Sequence, residues 1–518
     1  MKKMKKTIFY TVSAISGILL AGGCGFLKEE SQSEMIPQTT EDFSELLIGS
    51  GYPDNSGPDI SFLSYLDDDC AQMLNLIKRM YGWSQEDNAY VTTVFEPDAY
   101  AGNEQTVTVS PYYQWQPDMS DFNGYQERIN ENASETVYYQ FYQKIKGCNA
   151  VLDLIDGAIG TDDQRDRVKA EALAVRALLY FQLVNIYGEP YNYNKEALGV
   201  PLKLDSNLSN EPIARSTVAE VYENVLVPDL QEAARLMDPL PYIAGNYRIN
   251  QPAIHILLSR VFLYMERYQE CIDEVEKAMD YGIRVMNLTT EFNPADASGS
   301  DYNPLDYTNP EVLWLFGPSP RVDNVGYKLA MHDEFQALWD KENDIRYTMF
   351  ELGNADFVAE GTDYDNSDYI ITKPYGSLQL CQNIRTSEAV LNAMEANALL
   401  GNESDALAAL NDFRATRITG YVDETLAGED LLNAIRTERR KELCYEGHRW
   451  FDLRRQGMPE ITHVYRAEQG GQSYVYTLRH NDPMYTLPLP NCLFDQNSAL
   501  IQNESRNSGT RAGDPVIE

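Results

Sequence analysis

Apolar residues that return every three or four positions, over long stretches, constrain this chain more than any other feature. Tyr138, Tyr142, Ile145, Cys148, Asn149, Leu152 and Ile155 keep that spacing, which is the stripe of a packed helix. Lys169 to Tyr187 is rich in Ala, Leu and aromatic residues and closes at Gly188 with Pro190 beyond, a helix stop. Pro252 opens a third run with Ile254, Leu257, Leu258, Val261 and Met265. After a short break Ile272, Val275 and Met279 continue it. A fourth runs from Ser387 to Arg417 and is broken at Gly401. The expected fold is therefore mainly α.

The third run also carries a finer pattern. Ser259, Phe262, Cys271, Val275 and Ala278 alternate small and large residues as a tetratricopeptide unit does. The small residues let two antiparallel helices approach, and the large ones fill the gap. Ala406, Leu410 and Phe413 keep the spacing of the second helix of such a unit. With a third pair around 140–190, the expectation is a tetratricopeptide-like helical-repeat scaffold over about 135–282 and 386–456. Residues 41–134 and 283–385 lack sustained periodicity and are read as long loop insertions. An insertion of that length inside a compact domain is usually functional. Ser473 to Leu478 reads as a strand of a minor β hairpin.

The N-terminus is a processing segment. Lys2, Lys3, Lys5 and Lys6 precede an apolar run from Ile8 to Leu20, too short to span a bilayer. Ala21-Gly22-Gly23-Cys24 follows. Residues 1–23 resemble a bacterial lipoprotein signal in which Cys24 becomes the acylated first residue, although Ala21 stands where Leu is usual. Residues 24–40 read as a lipid-anchored tether, and Lys28-Glu29-Glu30 resembles an acidic surface-export tag. The single remaining domain is 41–518. The other six cysteines are scattered without a CxxC pair, so buried thiols are expected. With 42 Lys+Arg against 79 Asp+Glu the net charge is −37. That balance excludes nucleic-acid binding, which needs cations to displace counterions from phosphate. Neutral ligands are not excluded.

Residues 436–455 read RTERRKELCYEGHRWFDLRR. On one helix, Arg439, Glu442, Glu446 and Arg449 would lie at spacings that allow alternating ion pairs. Leu443, Trp450 and Leu453 would supply an apolar stripe. This stretch resembles the C-terminal signature of the SusD/RagB family, R-x-E-R-R-x-E-L-x-x-E-G-x-R-W-x-D-L-x-R. Arg439, Glu442, Glu446, Arg449, Trp450 and Asp452 are its structural residues here. Arg176-Ala177 through Tyr180-Phe181, Gly199-Val200-Pro201-Leu202, and Leu487 to Pro490 with Asn497 and Gln502-Asn503 resemble further family segments in the family's order.

The resemblance implies an outer-membrane, cell-surface lipoprotein over a SusC-like TonB-dependent transporter, delivering oligosaccharide or, in the RagB branch, peptide. It implies no catalysis, cofactor or metal. It also places ligand contacts on loops of the N-terminal third and of the later insertion. Here those loops hold Tyr81, Trp83, Tyr112, Tyr113 and Trp115, then Tyr302, Tyr307 and Tyr327. Trp314, inside an apolar run, reads as structural. A surface glycoside hydrolase would need two opposed carboxylates, which cannot be selected among 79 acids. HExxH, G-x-S-x-G and phosphate-cradling motifs are missing, and His255, His332, His448, His463 and His480 show no metal-ligand spacing. Asp363, Asp365 and Asp368 faintly resemble a calcium loop but lack its glycine.

Overall fold

The computed structural model describes residues 37–72, 77–84, 89–95, 110–121, 136–292, 307–318, 329–349, 362–365, 380–467 and 471–517. The signal segment, Cys24, most of the tether, Tyr302 and Tyr327 lie outside the described residues. Helix α1 (Thr40–Ser50) starts at a capping box in which the Thr39 hydroxyl accepts from the Asp42 N–H and the Asp42 carboxylate accepts from the Thr39 N–H. Only Phe43 and Leu47 mark its apolar face, too few for a periodic signal in a stretch expected to be loop. Helix α2 (Val137–Leu152) crosses it at Gly147. A Cβ there would sit 2.2 Å from the Ser50 carbonyl oxygen, so glycine sets how closely the two helices approach. Helix α3 (Asp162–Tyr187) is buried on nearly every side beyond Val168, as a central helix must be.

Helix α4 (Val227–Met237) leads to α5 (Gln251–Tyr264), which Asn250 caps and Pro252 opens. Then follow α6 (Tyr268–Met279), α7 (Thr386–Leu400), α8 (Glu403–Ala415), α9 (Gly428–Leu443) and α10 (Arg449–Arg455). From α2 to α7 each helix packs on the next, and α7 then carries both α8 and α9. The pairs α2–α3, α5–α6 and α7–α8 are the helical hairpins read from the sequence. Ser259, wholly buried on α5, accepts from the Asn392 amide of α7 at 2.9 Å, so the small residue meets its neighbour directly. Gly401 ends α7 at φ 83°, a left-handed cap that glycine takes without strain.

The expected hairpin is present: β8 (Ile461–Tyr465) pairs antiparallel with β9 (Tyr474–Leu478). The insertions hold more strand than expected. In the first are β1 (Cys70–Gln72), β2 (Ile77–Ser84) and β3 (Ala89–Phe95), and in the second β4 (Val312–Phe316), β5 (Leu329–Met331), β6 (Thr362–Asp365) and β7 (Gln382–Arg385). β1 pairs with β5 and β2 with β6, so the two insertions share sheets between residues as far apart as Cys70 and Met331, or Ile77 and Asp365. β4 pairs with β7 and closes the neck of the second insertion. Trp314, fully buried in β4, is structural as expected.

The signature stretch departs from its reading as one helix. The chain breaks between α9 and α10, where Tyr445 (φ 60°) and Gly447 (φ 82°) are left-handed. Its charged residues consequently do not form the expected ladder of Arg439, Glu442, Glu446 and Arg449 along one helix: within the stretch Asp452 takes Arg439 and Arg455, and the other main partners lie outside it. Arg439 donates to Asp452, and Arg449 donates to Asp68 in the N-terminal segment. Glu442 accepts from Arg346, Arg385 and Arg417, and Glu446 from Arg385. Arg385 and Arg417 also hold Glu311, the residue before β4. The signature thus clamps the neck of the second insertion rather than bracing its own helix. Trp450 stacks on Tyr485, ring centroids 4.9 Å apart. Five of the cysteines are buried and Cys492 is partly so, all as thiols.

Of three buried histidines, His255 pulls one way with pH and His448 and His463 the other, burial pushing His463 down to about 4. His255 lies between Glu274 (2.6 Å) and Asp238 (3.1 Å); burial opposes its charge, but the two carboxylates outweigh it and hold the imidazole up at about 9. Burial, then the Arg260 guanidinium, pushes His448 down to about 4. A raised folded value stabilises fully below the unfolded value of ~6.5 and is lost as pH climbs through 9. A depressed one does the reverse, losing stability as pH falls from 6.5 towards 4. Urea titrations should therefore find maximal stability near pH ~6.5, with each histidine removing up to about 3 kcal/mol on its own flank. His255→Asn should flatten the alkaline flank alone. An alkaline flank unchanged in that variant would refute the assignment.

Candidate functional site

The loop 238–250, between α4 and α5, is tied down along its length. Asn250 accepts from the Ala253 N–H, while its amide donates to the Gly245 and Leu313 carbonyls. The Asn246 amide donates to the Tyr307 carbonyl at 2.6 Å, and the Asn246 carbonyl accepts from the Leu315 N–H at 2.6 Å. The Ile249 N–H donates to the Tyr52 hydroxyl, which donates to Glu171 on α3, and Arg248 donates to the same carboxylate oxygen at 3.0 Å. Loop, β4 and α3 are thereby joined by bonds that leave the loop little freedom.

Two tyrosines stand on this support. The rings of Tyr247 and Tyr307 have centroids 6.3 Å apart at an interplanar angle of 34°, and the residues are 58% and 49% exposed. Tyr242, in the same loop, leans on Tyr281 at 5.4 Å and is 36% exposed. A tyrosine ring offers an apolar face and a hydroxyl tip, and losing its rotamer freedom costs little when neighbouring rings already hold it. Adjacent half-exposed rings therefore suit a ligand with flat C–H faces and hydroxyls at its edge. The Tyr307 ring takes its place from the neck clamped by the signature, since Glu311 lies four residues on.

The other expected contacts fare differently. Tyr112, Tyr113 and Trp115 are core residues, at 7%, 3% and 0% exposure, and the expectation that they face a ligand is corrected. His463 lies between the rings of Tyr113 and Trp115, 4.1 Å from each, and the Trp115 indole N–H donates to the Leu66 carbonyl. Their faces are occupied. Tyr81 and Trp83 fall in β2 rather than in a loop, paired with Thr92 and Tyr90 of β3. Tyr247 is not among the residues expected from sequence, since it lies in a short link between helices and not in either long insertion. Its signal was there: Tyr242, Ile243 and Tyr247 crowd a short interhelical link that has Gly245-Asn246 as its turn and no periodicity to bury them.

No arrangement for acid–base chemistry appears around the signature. Glu438, Glu442 and Glu446 are each held by arginines, and His448 is enclosed. Among the described residues no group of three or more His, Cys, Asp or Glu could hold a metal ion. Nor is any described helix long and apolar enough to cross a membrane.

Two family models match the sequence. One, described as starch-binding associating with outer membrane, covers residues 58–263, and the other, the SusD family, covers 338–505. Among curated proteins, SusD-like protein P2 of Formosa agariphila is 23% identical over 399 residues, spanning 67% of this chain and 75% of that one. SusD-like protein P38 of the same organism is 22% identical over 425 residues, 69% and 78% of the two chains. Among solved structures, a SusD superfamily protein of Bacteroides thetaiotaomicron superimposes with a TM-score of 0.63 at 23% identity, covering 90% of this chain and 99% of that one. A SusD-like carbohydrate binding protein of Bacteroides vulgatus does so with a TM-score of 0.61 at 20% identity, covering 89% and 97%.

Proposed function

The chain belongs to the SusD/RagB family, and from that premise we propose that it is a cell-surface glycan-binding protein without catalytic activity. It passes oligosaccharide to a SusC-like TonB-dependent transporter and is held to the outer membrane by a lipid on Cys24 alone. The observation that carries this reading is the exposed Tyr247–Tyr307 pair on a rigid mount. The description of the matching family as starch-binding and outer-membrane-associated supports it, as does the carbohydrate-binding name of a protein of the same fold. The absence of catalysis is supported by the commitment of the signature acids to buried arginines. The anchor is supported by the small residues before Cys24, and incorporation of labelled fatty acid at that cysteine checks it.

Calorimetry against a panel of oligosaccharides and peptides tests the ligand class. Tyr247→Ala and Tyr307→Ala should each weaken oligosaccharide binding about tenfold, roughly 1.4 kcal/mol. Tyr193→Ala, an exposed tyrosine on another segment, should leave it unchanged. Binding of peptides but no sugar would reverse the assignment of ligand class. Release of reducing ends during the incubation would instead make the chain a hydrolase.

A further inference from the structure

A groove of about 370 Å³ opens beside the Tyr247 loop, within the ~300–1,000 Å³ span of small-molecule sites. Three chain segments line it: the start of α1, the first two turns of α3, and Leu240, Pro241 and Arg248 of the loop that carries Tyr242 and Tyr247. The groove and the tyrosine platform are therefore carried by one loop, with Arg248 of the groove next in the chain to Tyr247. Glu41 and Glu45 come from α1, Asp163 from α3, and Arg167 and Arg248 complete the charged lining.

The bonding of these groups says what they lack. Among the described residues, the carboxylates of Glu41, Glu45 and Asp163 have no hydrogen-bond or ion-pair partner, so their acceptor oxygens face solvent. Arg248 gives one N–H to Glu171 and keeps others free, and Arg167 donates only to the Pro241 carbonyl and the Met237 sulfur. The groove thus offers spare acceptors and spare donors within one cavity. A hydroxyl group can answer both, giving its hydrogen to a carboxylate and its lone pairs to a guanidinium. The formal charge also decides against one class of ligand. Three unpaired acids and the buried Glu171 outweigh two arginines, on a chain of net charge −37, so an anion meets repulsion on approach and inside.

We propose that this groove is a second subsite for the ligand on the tyrosines, taking a neutral, hydroxyl-rich sugar unit and rejecting units that carry carboxylate or sulfate. The proposal rests on the glycan-binding reading and extends it to a ligand long enough to pass from ring face to groove. Carboxylates and guanidinium grip the hydroxyl edges, while the tyrosines take the ring faces.

The test uses the full chain and six-unit neutral gluco-, xylo- and manno-oligosaccharides, with oligogalacturonate as the anionic probe. The variant is Glu41→Gln, Glu45→Gln and Asp163→Asn together. All three side chains are exposed and lie outside the α1 and α3 capping boxes, so circular dichroism should not change and the melting temperature should fall only slightly, through the lost first-turn charges of Glu41 and Asp163. The expected result is that the neutral probe bound by the unaltered chain loses about tenfold in affinity in the variant, with little dependence on salt, while oligogalacturonate binds the unaltered chain more weakly than that neutral probe. If the triple variant binds the neutral probe as the unaltered chain does while Tyr307→Ala still weakens it, the groove is not a subsite and the tyrosine platform stands alone. Tighter binding of oligogalacturonate than of neutral probes overturns the charge selection. If no sugar binds the unaltered chain, the glycan reading and the subsite fall together.

Discussion

Glu442→Ala should destabilise the chain by roughly 3–5 kcal/mol, the cost of leaving buried charges unpaired. Glu442 is buried, yet three guanidiniums meet its carboxylate: Arg385 at 2.6 Å, Arg346 at 2.9 Å and Arg417 at 3.0 Å. Burial works against its charge, and Arg417, Arg385 and Arg346 nevertheless hold the carboxyl well below the usual range. Around it the buried cations Arg346, Arg385, Arg414, Arg417 and Lys441 face Glu311, Asp344, Glu438, Glu442 and Glu446, one for one. Removing one acid leaves an uncompensated positive charge where water cannot reach. Because the folded value is depressed, this stabilisation is present at neutral pH and disappears as pH falls below the ordinary carboxylate range. Urea unfolding of Glu442→Ala beside Glu429→Ala, an exposed acid on the same helix, measures the difference. Equal midpoints for the two variants would refute the clamp.

The same cluster explains what the sequence could and could not disclose. The stripes from Tyr138 to Leu152 and from Ile254 to Met279 are local patterns, and local patterns determine helices, so the repeat scaffold was legible. The helix stops at Gly188 and Gly401 were legible for the same reason. Which residues Glu442 and Arg449 would meet was not. Their partners, Arg385 and Asp68, lie 57 and 381 residues away, and no spacing rule reaches that far. The pairing of β1 with β5 and of β2 with β6 was hidden likewise, since a short strand carries no mark of a distant partner. The candidate binding surface was half legible. Aromatic residues in loops pointed to Tyr307, but composition alone could not separate rings that face solvent from Tyr113 and Trp115, which enclose His463. Burial settled that, and it brought in Tyr247 from a link too short to attract notice.

The second large effect lies at the far end of α3. Arg454 is buried and has no ion-pair partner among the described residues. Its guanidinium donates instead to the carbonyls of Asn185 and Gly188, at the C-terminus of α3, and of Tyr485. The last carbonyls of a helix lack partners within it and carry partial negative charge, so a cation there satisfies bonds and dipole together. Asn503 reinforces the junction by donating to the Tyr187 and Leu487 carbonyls. Arg454→Leu would leave three carbonyls buried and unmet, at roughly 1–3 kcal/mol each, offset in part by removing a buried charge. The expected net loss is about 3 kcal/mol. Arg454→Lys should recover less than half of it, because an ammonium is compact and cannot span the three carbonyls as a planar fork does. Hydrogen exchange should locate the damage: amides of 485–503 and the last turn of α3 should lose protection before those of α7 and α8. Full stability in the lysine variant would mean that charge alone secures this junction, and full stability in the leucine variant that water replaces the arginine there.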